Sequence, residues 1–219
     1  MFERWTLHGV RLGAPGDAIA AVWGEIAGAY AEPARHYHTM AHIDSLLREL
    51  DRHRGEISQP EALEFAAWFH DVVYDTHRGD NEERSALYAR DALHRLDAPE
   101  PLVERVAELI LSTHDHAAPA DDADALLFLD ADLAILGASG ECYREYSRAI
   151  RDEYGWVEEG MYRAARGEIL EKFLLRERIY RTGSMFARYE RAARANIAAE
   201  LREPDRQDGS EHELNSGSI

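Results

Sequence analysis

The chain has 219 residues, 45% of them hydrophobic and 31% charged, a composition that suits one globular domain with a sizeable core. Its formal net charge of −17 opposes a phosphate backbone, so no nucleic-acid polymer is expected as a partner; a small anion held by a metal and a few arginines is compatible with it. No run of about 18 apolar residues exists, the start Met-Phe-Glu-Arg-Trp-Thr-Leu-His does not read as a secretory signal, and the single Cys142 allows no intrachain disulfide, so a cytoplasmic protein outside any membrane is expected.

Helical patterns dominate from there. Pro15 and Asp17 open a segment whose Ile19, Val22, Trp23, Ile26 and Ala27 share one helical face, and Pro33 ends it. A second helix is expected from near Tyr37, carrying Ile43, Leu46, Leu47 and Leu50, followed by a turn over 55–60. Residues 60–70 are apolar nearly all round and predict a central helix. Val72-Val73-Tyr74 has strand composition but no pairing partner, so it reads as a helix end and a loop reaching Asp80. Helices are then expected over 81–96 and from Pro99 and Pro101 onward, with Leu102, Val103, Val106, Leu109 and Ile110 inward. A polar loop over 114–124 precedes an apolar segment, 125–136, and a break at Gly137 and Gly140. Helices near 141–154, 158–182 and 184–201 complete the chain, with Cys142 between helices and nothing there to activate it. The reading is a single all-α domain over 1–202 and a polar, disordered tail over 203–219.

The candidate chemistry lies in His38, His42, His70, Asp71, His114, His116, Asp130 and Asp132, all at the edges of apolar segments. A charge buried there needs a partner, and a divalent metal would serve all of them at once. His38 and His42 are spaced i, i+4, which puts two rings on one helix face, as in histidines that share a metal; a solvated first turn is the alternative. Asp71 stands where a helix dipole disfavours a carboxylate, so a cation is expected beside it. Asp130 and Asp132 could be helix caps, but Leu126, Leu127, Leu129, Leu133, Ile135 and Leu136 argue against free exposure. His114 and His116 could sit in a solvated loop, an alternative that weighs more for His116. Imidazole with carboxylate suits Mn²⁺, Fe²⁺, Zn²⁺ or Mg²⁺ and implies hydrolysis by metal-activated water. No Gly-x-Ser-x-Gly or Walker motif competes with this.

The order His, His-Asp, Asp resembles the HD superfamily of metal-dependent phosphohydrolases, and most closely its branch of predicted HD-type hydrolases. Tyr37-His38-Thr39-Met40-Ala41-His42-Ile43, Ala67-Trp68-Phe69-His70-Asp71-Val72-Val73-Tyr74-Asp75, Asp80-Asn81-Glu82-Glu83-Arg84-Ser85-Ala86, Ile110-Leu111-Ser112-Thr113-His114 and Phe128-Leu129-Asp130-Ala131-Asp132-Leu133 carry the likeness, with a later stretch from Ile169 to Leu174 and Arg178-Ile179-Tyr180. The resemblance implies a single-domain HD-type helical bundle. It makes His38 the first histidine, with His42 as competitor or extra ligand, His70 and Asp71 the doublet, and Asp132 rather than Asp130 the last aspartate. His114, and less so His116, would serve a second metal, so the cofactor would be one or two divalent ions. Asp71 would be the central carboxylate, and Asp75 and Glu82 or Glu83 would act near the leaving group, with capping around Asn81 as the alternative. Arg78, Arg84, Lys172 and Arg178 would contact phosphate. The implied activity is hydrolysis of a phosphate ester of a small metabolite or nucleotide. The alternatives are an HD-type di-iron oxygenase and a non-catalytic metal-containing ligand-binding module.

Overall fold

The computed structural model describes residues 1–202, which are all-helical: α1 (Phe2–Leu12), α2 (Gly16–Ala29), α3 (Met40–Arg52), α4 (Pro60–Phe69), α5 (Asn81–Arg95), α6 (Glu100–Ser112), α7 (Ala123–Asp132), α8 (Gly140–Glu153), α9 (Glu159–Leu175) and α10 (Gly183–Glu200), with 3₁₀ turns at Arg54–Glu56 and Leu133–Gly137. The tail expected over 203–219 lies outside the described residues. Among the described residues no helix is long and apolar enough to cross a membrane.

Helix α4 is the axis of the core. Every residue from Ala62 to Phe69 is buried, and α3, α5, α6 and α7 pack around it. That arrangement follows from a segment with no polar face, which is stable only when covered on all sides. Val72-Val73-Tyr74 forms no strand, and residues 70–80 run as turns and loop into α5.

Helix α1 was not expected from its pattern. Its inward residues are Trp5, His8 and Gly9, an aromatic, an imidazole and a glycine rather than an aliphatic stripe. Trp5 is fully buried, donates its indole N–H to the carbonyl of Ile19 at 2.9 Å and packs edge-on against Trp68 at 5.2 Å. His8 reaches the buried Glu64 at 2.6 Å, and Arg4 Nε donates to the same carboxylate at 2.7 Å.

Several boundaries differ from the sequence pattern, each for a local reason. Helix α3 starts at Met40 because the Thr39 hydroxyl caps it, accepting from the Ala41 N–H at 3.3 Å; Tyr37 and His38 therefore precede the helix. Helix α7 stops at Asp132, and the apolar Leu133–Gly137 tightens into a 3₁₀ turn against α10. A β-carbon on Gly137 would come within 2.6 Å of the Tyr189 β-carbon, so this approach needs glycine. Helix α9 ends at Leu175 instead of 182. The Glu190 carboxylate there takes the N–H groups of Ile179 and Tyr180, and Asp130 takes those of Arg181 and Thr182, which holds the segment out of helical form. Cys142 is exposed in the first turn of α8 rather than between helices. Among the residues of α9 only Leu170 is buried.

Candidate metal centre

Four side chains from three helix ends converge. His42 comes from the first turn of α3, His70 and Asp71 from the end of α4, and Asp132 from the end of α7. His42 Nε2 lies 3.2 Å from His70 Nε2 and 3.1 Å from Asp132 Oδ1. His70 Nε2 is 2.9 Å from Asp71 Oδ2 and 3.5 Å from Asp132 Oδ1, and His42 Nε2 is 3.8 Å from Asp71 Oδ2.

The chemistry of this donor set fits a divalent cation. His70 Nδ1 lies 3.1 Å from the Ala67 carbonyl, which can only accept, so the proton belongs on Nδ1 and the Nε2 lone pair points inward. Two imidazole nitrogens facing each other at 3.2 Å repel unless a proton or a cation lies between them. Metal–ligand bonds of ~2.1 Å set neighbouring donors roughly 3.0–3.4 Å apart in octahedral or tetrahedral arrangement. Burial alone would depress the His70 imidazolium, but Asp71 and Asp132 outweigh it and raise its pKa well above the ordinary value. Burial would likewise raise both aspartates, yet the surrounding imidazoles hold Asp71 and Asp132 far below the usual carboxylate range.

His38 does not share the helix face with His42, because it precedes the α3 cap. Its Nδ1 is 2.7 Å from the buried Glu153 carboxylate, and its Nε2 approaches Asp71 Oδ2 only to 4.0 Å. His42, not His38, stands with His70 and Asp132 as the candidate ligand group. Glu153 also accepts the backbone N–H groups of His36, Tyr37 and His38 and the Tyr74 hydroxyl. Burial would raise its pKa, but the His38 ring and the backbone N–H groups of His38 and Tyr37 bring it down to about 2. Of the two later histidines, His116 Nε2 is 3.3 Å from Asp132 Oδ2, and His114 is exposed, 3.4 Å from Glu82, and forms with Glu82 and Glu83 a separate group of potential ligands. His116 adopts a left-handed backbone, φ 47°, the kind of local strain often found at functional sites.

The cluster forms part of the lining of a cavity of about 670 Å³ whose other walls include Tyr74, Glu82, Tyr146, Trp156, Arg166, Lys172, Phe173 and Arg176. Glu82 and Lys172 thus take places at the site. Asp75, Arg78, Arg84 and Arg178 do not line it. Asp75 accepts from the His77 N–H and its own N–H bonds to Asn81, so it orders the loop before α5; Arg78 is paired with Asp80 at 2.5 Å; Arg84 is exposed on α5; Arg178 lies over the Phe186 ring.

Sequence reasoning missed Glu153, Arg166, Arg176 and Arg35. The Arg35 side chain is buried between Tyr30 and Tyr74 and donates to the carbonyls of Asp71 at 2.6 Å and Val72 at 3.0 Å. It thereby fixes the chain direction immediately after His70. The resemblance stretches stop short of all four residues, and Glu153 is joined to His38 across 115 positions, beyond any local pattern. No family model, curated protein or solved structure matches this chain.

Proposed function

We propose that the protein is a metal-dependent phosphohydrolase acting on a small phosphorylated metabolite or nucleotide. The convergence of His42, His70, Asp71 and Asp132 on a cavity that also carries Lys172, Arg166 and Arg176 supports this reading most directly. Those four side chains would hold a divalent ion, Mn²⁺, Fe²⁺, Zn²⁺ or Mg²⁺. Bound there, such an ion supplies an activated water and polarises a phosphoryl oxygen.

The chain's own residues divide the remaining work. Asp71 and Asp132 compensate positive charge at the floor of the cavity. His38, tied at Nδ1 to Glu153, turns its Nε2 toward Asp71 and the cavity. Glu82 stands at the wall beside His114, where a carboxyl group can exchange a proton with a leaving oxygen. The three cations admit an anion into a protein whose overall charge opposes one. Positioning and charge stabilisation are most of what phosphoryl transfer requires.

The test is to load the metal-free protein separately with Mn²⁺ and Fe²⁺ and to measure phosphate release anaerobically across nucleotides and sugar phosphates. Release that disappears in Asp71→Asn supports hydrolysis. Turnover only with iron and oxygen, without phosphate from any ester, replaces the reading with the oxygenase. Stoichiometric metal with no turnover replaces it with a ligand-binding module.

A further inference from the structure

The cavity wall built by α9 has a charge pattern that one phosphoryl group at the metal centre does not use up. Three cations line the cavity, all from α9 or the residue just beyond it: Arg166, Lys172 and Arg176. Their circumstances differ. Arg166 is already matched, with Nε on Glu200 at 3.0 Å, Nη1 on the Tyr146 hydroxyl at 3.2 Å and the guanidinium over the Tyr146 ring. Lys172 has no hydrogen bond or ion pair among the described residues. Arg176 lies over the Phe173 ring at 4.8 Å and donates to the backbone carbonyl of Asp115 at 3.3 Å, but among the described residues no carboxylate lies within 4.0 Å of it.

Arg4, Arg78, Arg90, Arg95, Arg105 and Arg151 each end on a carboxylate. Arginines without an ion pair among the described residues, such as Arg11, Arg84, Arg144, Arg148 and Arg191, are exposed to water. Arg176 is partly buried, and burial together with neighbouring Arg181 depresses its pKa, so it bears a desolvation cost without a matching anion. Neither Lys172 nor Arg176 forms an ion pair with Asp71 or Asp132, whose partners among the described residues are histidines. Lys172 lies six residues along α9 from Arg166, ~9 Å at the rise of a helix. Besides Asp71 and Asp132 the acids lining the cavity are Glu82, which faces His114, and Asp115, whose carbonyl meets Arg176.

We propose that the ligand of this cavity carries a second anionic group, a carboxylate or a further phosphate, and that Lys172 and Arg176 receive it while the reacting phosphoryl group occupies the metal centre. This rests on the phosphohydrolase reading and narrows its substrate class to molecules with two anionic groups joined by a spacer. Simple sugar monophosphates would be poor ligands.

Non-hydrolysable rulers test it. Alkylphosphonates and ω-phosphonocarboxylates of matched and increasing spacer length are titrated calorimetrically into the Mn²⁺-loaded protein. At one spacer length the carboxylate is expected to tighten binding by ~10-fold or more over the matched alkylphosphonate. In Lys172→Ala and in Arg176→Ala that ratio falls, and in the double variant it falls to about one; Lys172 is exposed, so its truncation leaves folding intact. A ratio near one at every spacer in the unaltered protein, or a ratio that survives in the double variant, overturns the inference and leaves the phosphohydrolase reading standing. If neither series binds, the phosphoryl reading fails and the inference falls with it.

Discussion

Asp130 and Asp132 stand two positions apart at the end of α7 and meet opposite surroundings. Asp130 is 1% exposed, and its two oxygens accept the N–H groups of Arg181 at 2.9 Å and Thr182 at 2.7 Å and the Thr182 hydroxyl at 2.7 Å. Among the described residues Asp132 receives no backbone donor; its oxygens face His42, His70 and His116. Burial raises the Asp130 carboxyl, with the Thr182 and Arg181 N–H groups only partly offsetting it, while imidazoles overcome the same burial effect and hold Asp132 far below the usual range. A buried acid is therefore not by itself a sign of a metal. What distinguishes the two is the kind of donor: a fixed amide satisfies a carboxylate permanently, whereas an imidazole can give up its proton to make way for a cation.

Exchanging the two roles by mutation gives the largest effects. Asp132→Ala should lower metal affinity by at least ~100-fold, because even substitutions outside the ligand set cost 10–100-fold; elemental analysis after dialysis reads this directly. Asp130→Ala should retain metal but leave buried N–H groups unsatisfied, with a loss of about 3 kcal/mol in denaturant unfolding. If Asp130→Ala loses its metal and Asp132→Ala loses stability instead, the contrast is wrong.

The same logic separates His42 from His38. His42→Ala should abolish metal retention, whereas His38→Ala, which removes a ring bound to Glu153, should weaken it by no more than ~10–100-fold, again measured as metal content. Glu153 then provides a pH signature. Its folded-state pKa of about 2 lies below the ordinary 4.5, so its contribution is present above pH 4.5 and is lost as pH falls toward 2. The Tm difference between the unaltered protein and Glu153→Gln should be greatest near neutrality and shrink through that window. A difference that grows on acidification would contradict the assignment.

The smallest expected effects are at Arg78 and Arg84. Their replacement by Ala should change stability by no more than ~0.5 kcal/mol and leave the affinity for alkylphosphonates unaltered, since both lie off the cavity.

The helices were legible wherever an aliphatic stripe or an apolar run marked a buried face, as in α2, α4 and α6. Helix α1 escaped because its inward face is Trp5, His8 and Gly9, and α9 was read too long because the carboxylates that interrupt it, Glu190 and Asp130, lie elsewhere in the chain. At the site, residue type and apolar flanks marked His42, His70, Asp71 and Asp132 together with Asp130 and His38, and only the family resemblance favoured Asp132 over Asp130. The division of His42 from His38 was not legible, because it depends on Thr39 capping α3 one residue after His38. Arg78 and Arg84 were favoured for lying near a motif, yet nearness along the chain does not bring a side chain to a cavity; Arg166 and Arg176 reach it from α9 and its end.

Helix α9 anchors itself by one fully buried residue, Leu170, with Phe173 and Leu174 half-covered beside it. Helix α4, across the same cavity, is buried along almost its whole length. Local opening free energies follow such differences in buried contact. The amides of α9 should therefore exchange with solvent well before those of α4. Occupancy of the cavity should slow α9 selectively, so that one half of the binding site is a rigid floor and the other a wall that becomes ordered with its guest.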